Sequence, residues 1–204
     1  MAEATGRWPD AVDAVLIVLL PRADGGRRPI SLFASVVRLW MRARIYMARQ
    51  WEAKHPNTAL YGSKGMGAQR AAWTAAAGAE AAKLAKKAHA QALLDLVKAF
   101  EKVLHQKLID AAADKHYPMT TLRLSLAAYR LARSVGNEGI YSRLIRTSQG
   151  IIAGSGIATS ELRVLLIGMI EAIQATWPTE QGISVMLYVD DITISATGDP
   201  EVIR

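Results

Sequence analysis

Two adjacent aspartates interrupt an apolar stretch near the end of the chain. Asp190 and Asp191 lie within residues 184–195 (SVMLYVDDITIS), whose two arms are rich in Val, Ile, Tyr and Thr. These residue types favour strands, so the stretch predicts a hairpin with the aspartates in its turn or just beside it. Neighbouring carboxylates repel each other unless a positive charge offsets the repulsion. A pair of divalent metal ions would supply that charge; the alternative is an ordinary hairpin with a solvated acidic turn.

A third carboxylate ends another apolar run. Asp95 closes residues 92–95 (ALLD), which predict a short strand. Three carboxylates on two adjacent strands are what a two-metal site for phosphoryl transfer needs, and Mg²⁺ prefers such oxygen ligands. The chain has no cysteine, and its four histidines are not spaced as zinc ligands. Any metal would therefore be held by oxygen or imidazole ligands.

Helices and strands alternate around these carboxylates. After a lead-in over residues 1–13, the apolar spacing and the positions of Gly and Pro predict the remaining elements. The predicted strands are 15–20, 140–143 and 144–148. The predicted helices are 32–54, 67–90, one that follows the 92–95 strand and ends at 108, 118–133, and 158–177. A glycine-rich loop over 149–156 (QGIIAGSG) leads into the last of these helices.

An arginine-rich turn follows the first predicted strand. Residues 24–26 (DGG) predict a hairpin, because glycine adopts positive φ without steric cost. Arg22, Arg27 and Arg28 flank this turn and could grip a polyphosphate, since arginine binds phosphate oxygens bidentately. The alternative is a solvated basic turn. The following helix carries further arginines that either meet a nucleic-acid backbone or form a solvated face, namely Arg38, Arg42, Arg44 and Arg49.

The amino-acid composition and net charge of the chain limit the classes of protein to which it could belong. The chain has 204 residues, of which 51% are hydrophobic, so it can bury one core or a domain with an attached lobe. A formal charge of +7 and a pI of about 9.8 are typical of a nucleic-acid binder. The apolar run over 14–20 is far shorter than the roughly 20 residues that span a bilayer. Acidic residues precede that run, which is not typical of a signal peptide. The sequence therefore predicts an intracellular protein with no membrane segment.

Four segments, taken in order, resemble those of reverse transcriptases, especially the enzymes of non-LTR retrotransposons and group II introns. They are LLPR with GGRRPI (19–22 and 25–30), DLVKAFE (95–101), QG with AGS (149–150 and 153–155), and YVDD (188–191). Together they extend over nearly the whole chain, and their common order makes the resemblance specific.

The resemblance implies a two-metal catalytic site. Asp95, Asp190 and Asp191 would be the catalytic carboxylates and the ligands of two Mg²⁺ ions, for which Mn²⁺ could substitute. The backbone carbonyl of Leu96 would be a further ligand. One ion would lower the pKa of a primer 3′-hydroxyl, and the other would neutralise the triphosphate and the leaving pyrophosphate.

The resemblance also implies residues for the substrate. Arg28 and Arg22 would hold the triphosphate of the incoming nucleotide. Phe100 would be an aromatic steric gate that excludes a ribose 2′-hydroxyl and selects dNTPs; core packing is the alternative role for this ring. RNA-dependent RNA polymerases share the palm but generally have a small polar or acidic residue at this position. Gln149 and Gly150 would line the nascent base pair and the template.

The implied fold is α+β: the fingers and palm of a right-hand polymerase, with an antiparallel palm sheet packed on helices. Fingers are expected over about 14–92 and palm over about 93–204. The family's next palm motif, its primer-grip hairpin and its helical thumb have no counterpart in the sequence. We therefore expect a fragment whose thumb or further polyprotein domains are missing.

The implied activity is that of an RNA-directed DNA polymerase of a retroelement. Its partners would be an RNA template, a DNA primer and dNTPs. The alternative is a catalytically inactive, nucleic-acid-binding remnant of such a polymerase.

Overall fold

The computed structural model describes residues 2–63 and 65–201. The chain forms two compact units, Met1–Trp51 with Lys98–Leu165 and Glu52–Val97 with Leu166–Arg204. Each unit contains a four-stranded sheet, so the predicted α+β class is confirmed. The two units are discontinuous in sequence, and the assignment of fingers to 14–92 and palm to 93–204 stays a prediction. Within the described ranges, every helix is too short or too polar to cross a membrane.

Six helices and eight strands are found in the described residues. In chain order they are α1 (Ala2–Thr5), β1 (Ala14–Pro21), β2 (Arg27–Leu32), α2 (Ser35–Lys54), β3 (Leu60–Tyr61), α3 (Ala68–Leu84), β4 (Ala88–Asp95), α4 (His105–Asp114), α5 (Met119–Tyr129), β5 (Ala132–Asn137), β6 (Ile140–Tyr141), α6 (Ala158–Thr176), β7 (Ile183–Tyr188) and β8 (Asp191–Gly198). A 3₁₀ turn, Thr179–Gln181, precedes β7.

The sheet of the first unit has the strand order β2-β1-β5-β6. β1 and β2 form the predicted arginine-rich hairpin, while β5 runs parallel to β1 and pairs antiparallel with β6. In the β1–β2 turn, the amide of Gly26 donates to Asp24 Oδ1 at 2.9 Å, and Gly25 has a φ of +80°. The expected role of glycine in this turn is therefore confirmed.

The amino-terminal segment packs on the first unit and is not a loose lead-in, which corrects the sequence-based interpretation. Glu3 accepts hydrogen bonds from Trp40 Nε1 at 2.7 Å and from Arg44 Nε and Nη2 at 2.5 and 2.8 Å. The Trp8 and Trp40 rings lie edge to face with their centroids 5.5 Å apart. The Arg44 and Trp40 hydrogen bonds lower the pKa of Glu3 to about 2. Arg44 thus has a carboxylate partner within the chain and is not a free cation of the α2 surface.

The core of the first unit lies among α2, α4, α5 and the start of α6. α5 is buried on nearly all sides, with Leu122, Leu124 and Tyr129 fully buried along it, and Leu108 of α4 is fully buried as well. α6 begins at Ala158, as predicted, and buries Leu162. This core fixes the loop that precedes α6.

The sheet of the second unit has the strand order β3-β7-β8-β4. β7, β8 and β4 are antiparallel, and the short β3 runs parallel to β7. α3 packs against β4 and β7. Val185 and Leu187 on β7 and Ile192 on β8 are buried. The sheet is therefore antiparallel where the predicted aspartates lie.

α3 is shorter than the helix predicted over 67–90. Its last residue is Leu84, and the amide of Lys87 donates to the Ala82 carbonyl at 2.9 Å. Lys86 has a φ of +54°, which ends the helix because the left-handed conformation cannot continue it. The residues after this cap pair with β8 as β4, so strand pairing overrides the helical preference of alanine.

The region between α5 and the glycine-rich loop also differs from its prediction. The helix expected to reach Arg133 ends at Tyr129, because Ala132–Asn137 pairs in parallel with β1. Of the two strands expected over 140–148, only Ile140–Tyr141 forms. The second is reduced to a single bridge between Ile145 and Arg133.

Candidate active site

The second unit carries the aspartate pair at the tip of the β7–β8 hairpin. Tyr188 and Asp191 are the last register partners, so Val189 and Asp190 form a two-residue turn. Val189 has a φ of +60°, a conformation that β-branched side chains rarely adopt. Backbone strain of this kind costs on the order of 1–3 kcal/mol and clusters at functional sites. The predicted hairpin is confirmed, with Asp190 in its turn and Asp191 at the start of β8.

Asp95 lies directly opposite Asp191. β4 and β8 pair antiparallel from Ala88 opposite Gly198 to Asp95 opposite Asp191. Directly opposed residues project to the same face, with Cβ atoms about 4.5–5.5 Å apart. Both aspartates are exposed. Two like charges in this relation destabilise the strand pair, and a cation between them would reverse that effect.

The alternation of strand side chains explains why the carboxylates reach solvent. Ile192 pairs with Leu187, and both are buried on the core face of the sheet. Asp191, one residue earlier, points to the opposite face because the side-chain period is two. Further along that face, Gln91 Nε2 donates to Ser195 Oγ at 3.2 Å. One face of this sheet thus contributes to the core, and the other carries the aspartates beside the exposed Leu93.

The donor set fits a hard divalent cation. Asp95 and Asp191 supply carboxylate oxygens from opposed strands, Asp190 adjoins them in the turn, and Leu96 follows Asp95 with its carbonyl. Within residues 2–63 and 65–201, no group of three or more His, Cys, Asp or Glu side chains is gathered closely enough to hold a metal ion. Mg²⁺ typically takes only one or two carboxylates and completes its shell with water and substrate phosphates, which agrees with this open donor set.

The arginines of the first unit differ in their partners. Arg27 donates to Asn137 Oδ1 and lies 3.6 Å from a Glu138 carboxylate oxygen. Arg22 and Arg28 are exposed, and neither makes a side-chain hydrogen bond or ion pair with any other residue that the structure describes. Two of the three hairpin guanidiniums therefore remain available to an external anion.

The Phe100 segment and the Gln149–Gly150 segment are bonded to each other within the first unit. The amide of Ile151 donates to the Phe100 carbonyl at 2.8 Å, and the amide of Gly150 donates to the Val103 carbonyl at 2.8 Å. Phe100 is half-buried, whereas Gln149 is exposed. The structure therefore brings together three predicted substrate residues from distant parts of the sequence.

An open groove of about 630 Å³ adjoins the same loop in the first unit. Its walls come from α2 and from the glycine-rich loop, and they include Arg38, Arg42, Leu39, Gly154 and Gly156. Both arginines and Leu39 are exposed. Cations beside apolar surface suit a single nucleic-acid strand, whose backbone is anionic and whose bases are apolar on their faces.

A buried polar cluster holds the far end of the loop. Tyr129 and Glu161 are fully buried; the Tyr129 hydroxyl donates to Glu161 Oε2 and lies 2.9 Å from Ser155 Oγ. Burial raises the pKa of Glu161 to about 7, partly opposed by the hydrogen bond from Tyr129 and by the neighbouring Ser125 hydroxyl. Burial, followed by the proximity of Glu161, raises the pKa of Tyr129 well above its ordinary value.

Sequence reasoning missed two buried residues, one bonded to this loop and one joined to it through Tyr129. Glu161 carried a signal, since it is a carboxylate on the apolar α6 and is one helical turn from the buried Ile157 and Val164, whereas Glu171, the other carboxylate of α6, is exposed. His105 carried none, because a single histidine at the start of a helix is usually part of a core. It is nonetheless bonded to the Gly150 carbonyl at 2.9 Å.

Solved telomerase structures share this fold. Telomerase from Candida albicans in complex with a TWJ fragment of telomeric RNA matches with a TM-score of 0.68 and 12% identity, covering 97% of this chain and 40% of that one. Apo telomerase from Candida tropicalis, truncated from its C-terminal domain, gives 0.59 and 15%, covering 95% and 45%. The chain therefore spans less than half of either telomerase chain. The likeness confirms the predicted fingers-and-palm fold.

A search of the curated proteins finds no match to this sequence. The model of the family described as reverse transcriptase (RNA-dependent DNA polymerase) matches residues 20–204. This match begins just before the arginine-rich turn and includes the three opposed or adjoining aspartates of the second unit. The chain belongs to the reverse transcriptase (RNA-dependent DNA polymerase) family.

Proposed function

We propose that this chain carries the polymerase site of a retroelement reverse transcriptase. The reaction is attack of a DNA primer 3′-hydroxyl on the α-phosphate of a dNTP, which forms the new phosphodiester bond and releases pyrophosphate, on an RNA template. One observation carries the proposal: Asp95 is the register partner of Asp191 at the open end of the β7–β8 hairpin. The four family-like segments support the retroelement assignment.

Asp95, Asp190 and Asp191 hold the metal ions in this proposal, with the Leu96 carbonyl as a further ligand. When bound there, Mg²⁺ supplies the positive charge that activates the primer 3′-hydroxyl and neutralises the departing pyrophosphate. The carboxylates in turn fix the positions at which that charge acts. Val189 supports this role, because its left-handed backbone sets the turn that carries Asp190.

Arg22 and Arg28 bind the triphosphate of the incoming dNTP. They are exposed and have no partner among the described side chains, so no internal ion pair must be broken when the nucleotide binds. Phe100 lies beneath the sugar and excludes a 2′-hydroxyl, and Gln149 and Gly150 line the nascent base pair. The backbone bonds between the Phe100 and Gly150 segments support this grouping.

A single-nucleotide incorporation assay tests the function. A labelled DNA primer annealed to an RNA template is incubated with the chain, Mg²⁺ and the next dNTP. We expect extension by one nucleotide, and none with Asp191→Asn. Asp199→Asn, directly after the other end of β8, is the matched control and should behave as wild type. Salt-dependent binding of the hybrid without any extension would instead support the inactive, nucleic-acid-binding remnant.

Phe100→Val should admit ribonucleotides, because it removes the ring proposed to clash with the 2′-hydroxyl. We expect the ratio of kcat/KM for a dNTP to that for the matching rNTP to fall by about tenfold or more. Phe100→Tyr keeps the ring and should retain the wild-type ratio. An unchanged ratio in the valine variant would assign Phe100 to core packing.

A further inference from the structure

His105 is a buried histidine with two polar partners in the first unit. It begins α4 and is 4% exposed. Its Nε2 lies 2.9 Å from the Gly150 carbonyl oxygen, and its Nδ1 lies 3.3 Å from Arg130 Nε. The ring thus connects the predicted template loop to the end of α5.

The partners define the tautomer of His105. A guanidinium can only donate hydrogen bonds, so Nδ1 accepts from Arg130 and Nε2 must carry the hydrogen that is donated to Gly150. Burial lowers the pKa of His105, and the charges of Arg130 and Arg133 lower it further, against an opposing effect of the Gly150 hydrogen bond. The neutral ring with hydrogen on Nε2 is therefore the stable form.

The Gly150 backbone depends on this contact. Gly150 is buried and has a φ of +91°, and a Cβ at this position would lie 2.9 Å from the Glu101 carbonyl oxygen. The loop therefore approaches the Phe100–Val103 segment as closely as only glycine allows. The amide of Gly150 faces Val103, while its carbonyl faces His105. The peptide plane between Gly150 and Ile151 is held from both sides, because its carbonyl accepts from His105 and its amide donates to the Phe100 carbonyl.

We propose that His105 is a positioning residue that clamps Gly150 and so sets the distance between Gln149 and the Phe100 gate. This role rests on the proposed polymerase function, because it assigns nucleotide selection to that pair. His105 does not touch the substrate. It acts through the backbone bonds that join Gly150 and Ile151 to Val103 and Phe100.

Three substitutions at His105 separate the clamp from simple packing. His105→Gln can place its amide nitrogen near the position of Nε2 and keep the bond to Gly150. Asparagine has the same amide group as glutamine but a shorter side chain. In His105→Asn the amide nitrogen therefore lies near the position of Nδ1 and cannot reach the Gly150 carbonyl. His105→Leu fills the space without a donor. Gln106→Leu is the control, because Gln106 is the exposed neighbour whose side-chain bond goes only to Asp110.

The first measurement is independent of catalysis. Imidazole ¹⁵N spectra of the wild-type chain should show a neutral ring with hydrogen on Nε2. Hydrogen exchange at the Gly150 and Ile151 amides should accelerate by about tenfold or more in the Leu and Asn variants, and should stay near wild type in the Gln variant and in Gln106→Leu. Equal protection in the Gln and Leu variants, or hydrogen on Nδ1, would overturn the clamp.

The second measurement tests selection. The ratio of kcat/KM for a dNTP to that for the matching rNTP should fall in the Leu and Asn variants and recover in the Gln variant. A loss of kcat with an unchanged ratio would show a structural role only and overturn the selection role. If the wild-type chain incorporates no nucleotide, the proposed function and the selection role both fail, while the exchange result still decides the clamp.

Discussion

Asp191→Asn should raise the melting temperature of the metal-free chain and remove most of its response to Mg²⁺. Without metal, Asp191 faces Asp95 across β8 and β4, and like charges in this relation cost roughly 0.2–1 kcal/mol. Asparagine relieves that repulsion. In the wild type, Mg²⁺ at about ten times its Kd should stabilise the fold by about 1.4 kcal/mol, or about 3–6 °C for a chain of this size.

Thermal melts in EDTA and across a Mg²⁺ series measure both halves of this result. Asp199→Asn removes one negative charge from the end of β8 far from Asp95 and should keep the full Mg²⁺ response. An equal response in the wild type and Asp191→Asn would place the bound metal elsewhere. A lower melting temperature for Asp191→Asn in EDTA would show that the two carboxylates do not repel each other across the strands.

Glu161→Gln should flatten the dependence of stability on pH. Glu161 has a folded-state pKa of about 7 against an ordinary value of 4.5, so the folded chain retains a proton that the unfolded chain releases earlier. Stability is therefore full below about pH 4.5 and is lost as pH rises through about 7. The loss is about 3 kcal/mol. Glutamine has no proton to lose, and its stability should not change over this window.

Urea unfolding at about pH 5 and about pH 8 compares the two chains. The difference between wild type and Glu161→Gln removes the contribution of every group that the two chains share. Glu180→Gln, an exposed glutamate, should follow the wild type. Tyr129→Phe removes a hydrogen bond that lowers the pKa of Glu161, so it should move the loss of stability to higher pH. Parallel pH profiles for wild type and Glu161→Gln would contradict the buried protonated state.

The aspartate hairpin was predictable because its chemistry is local. Strand-forming residues on both sides of Asp190 and Asp191 define the arms, and the turn must fall between them. Asp95 was predictable as the end of an apolar run, although the strand that it ends begins at Ala88 and not at Ala92. The exact pairing of Asp95 with Asp191 was not predictable, since the register depends on contacts made across the 95 residues that lie between them.

The errors arose where tertiary pairing overrides local preference. Alanines after Leu84 favour helix, yet they pair with β8 once Lys86 turns the chain. Ala132 and Arg133 continue the helical spacing of α5, yet they pair in parallel with β1. Such pairings join distant residues, and no local window of sequence contains them.

Two features of the candidate site were not predictable from the sequence because they depend on which partners a side chain finds in the fold. The availability of Arg22 and Arg28 could not be read from the sequence, because Arg27 has the same composition around it but is bonded to Asn137. His105 lies in no motif, and its buried contact with Gly150 joins residues 45 positions apart in the sequence. The spacing of residues in the sequence predicts which side chains could bind a substrate. The hydrogen bonds and ion pairs of the folded chain decide which of those side chains remain available to it.

The register of β4 against β8 also limits how the sequences of related chains can vary. An exposed position such as Leu93 can change identity while Asp95 stays opposite Asp191. A single codon gained or lost within β4 would instead rotate every later side chain to the other face of the sheet, Asp95 included. Length in this strand should therefore be inherited more strictly than identity. Among related chains, a one-codon change within β4 would indicate loss of the opposed aspartates more surely than several substitutions.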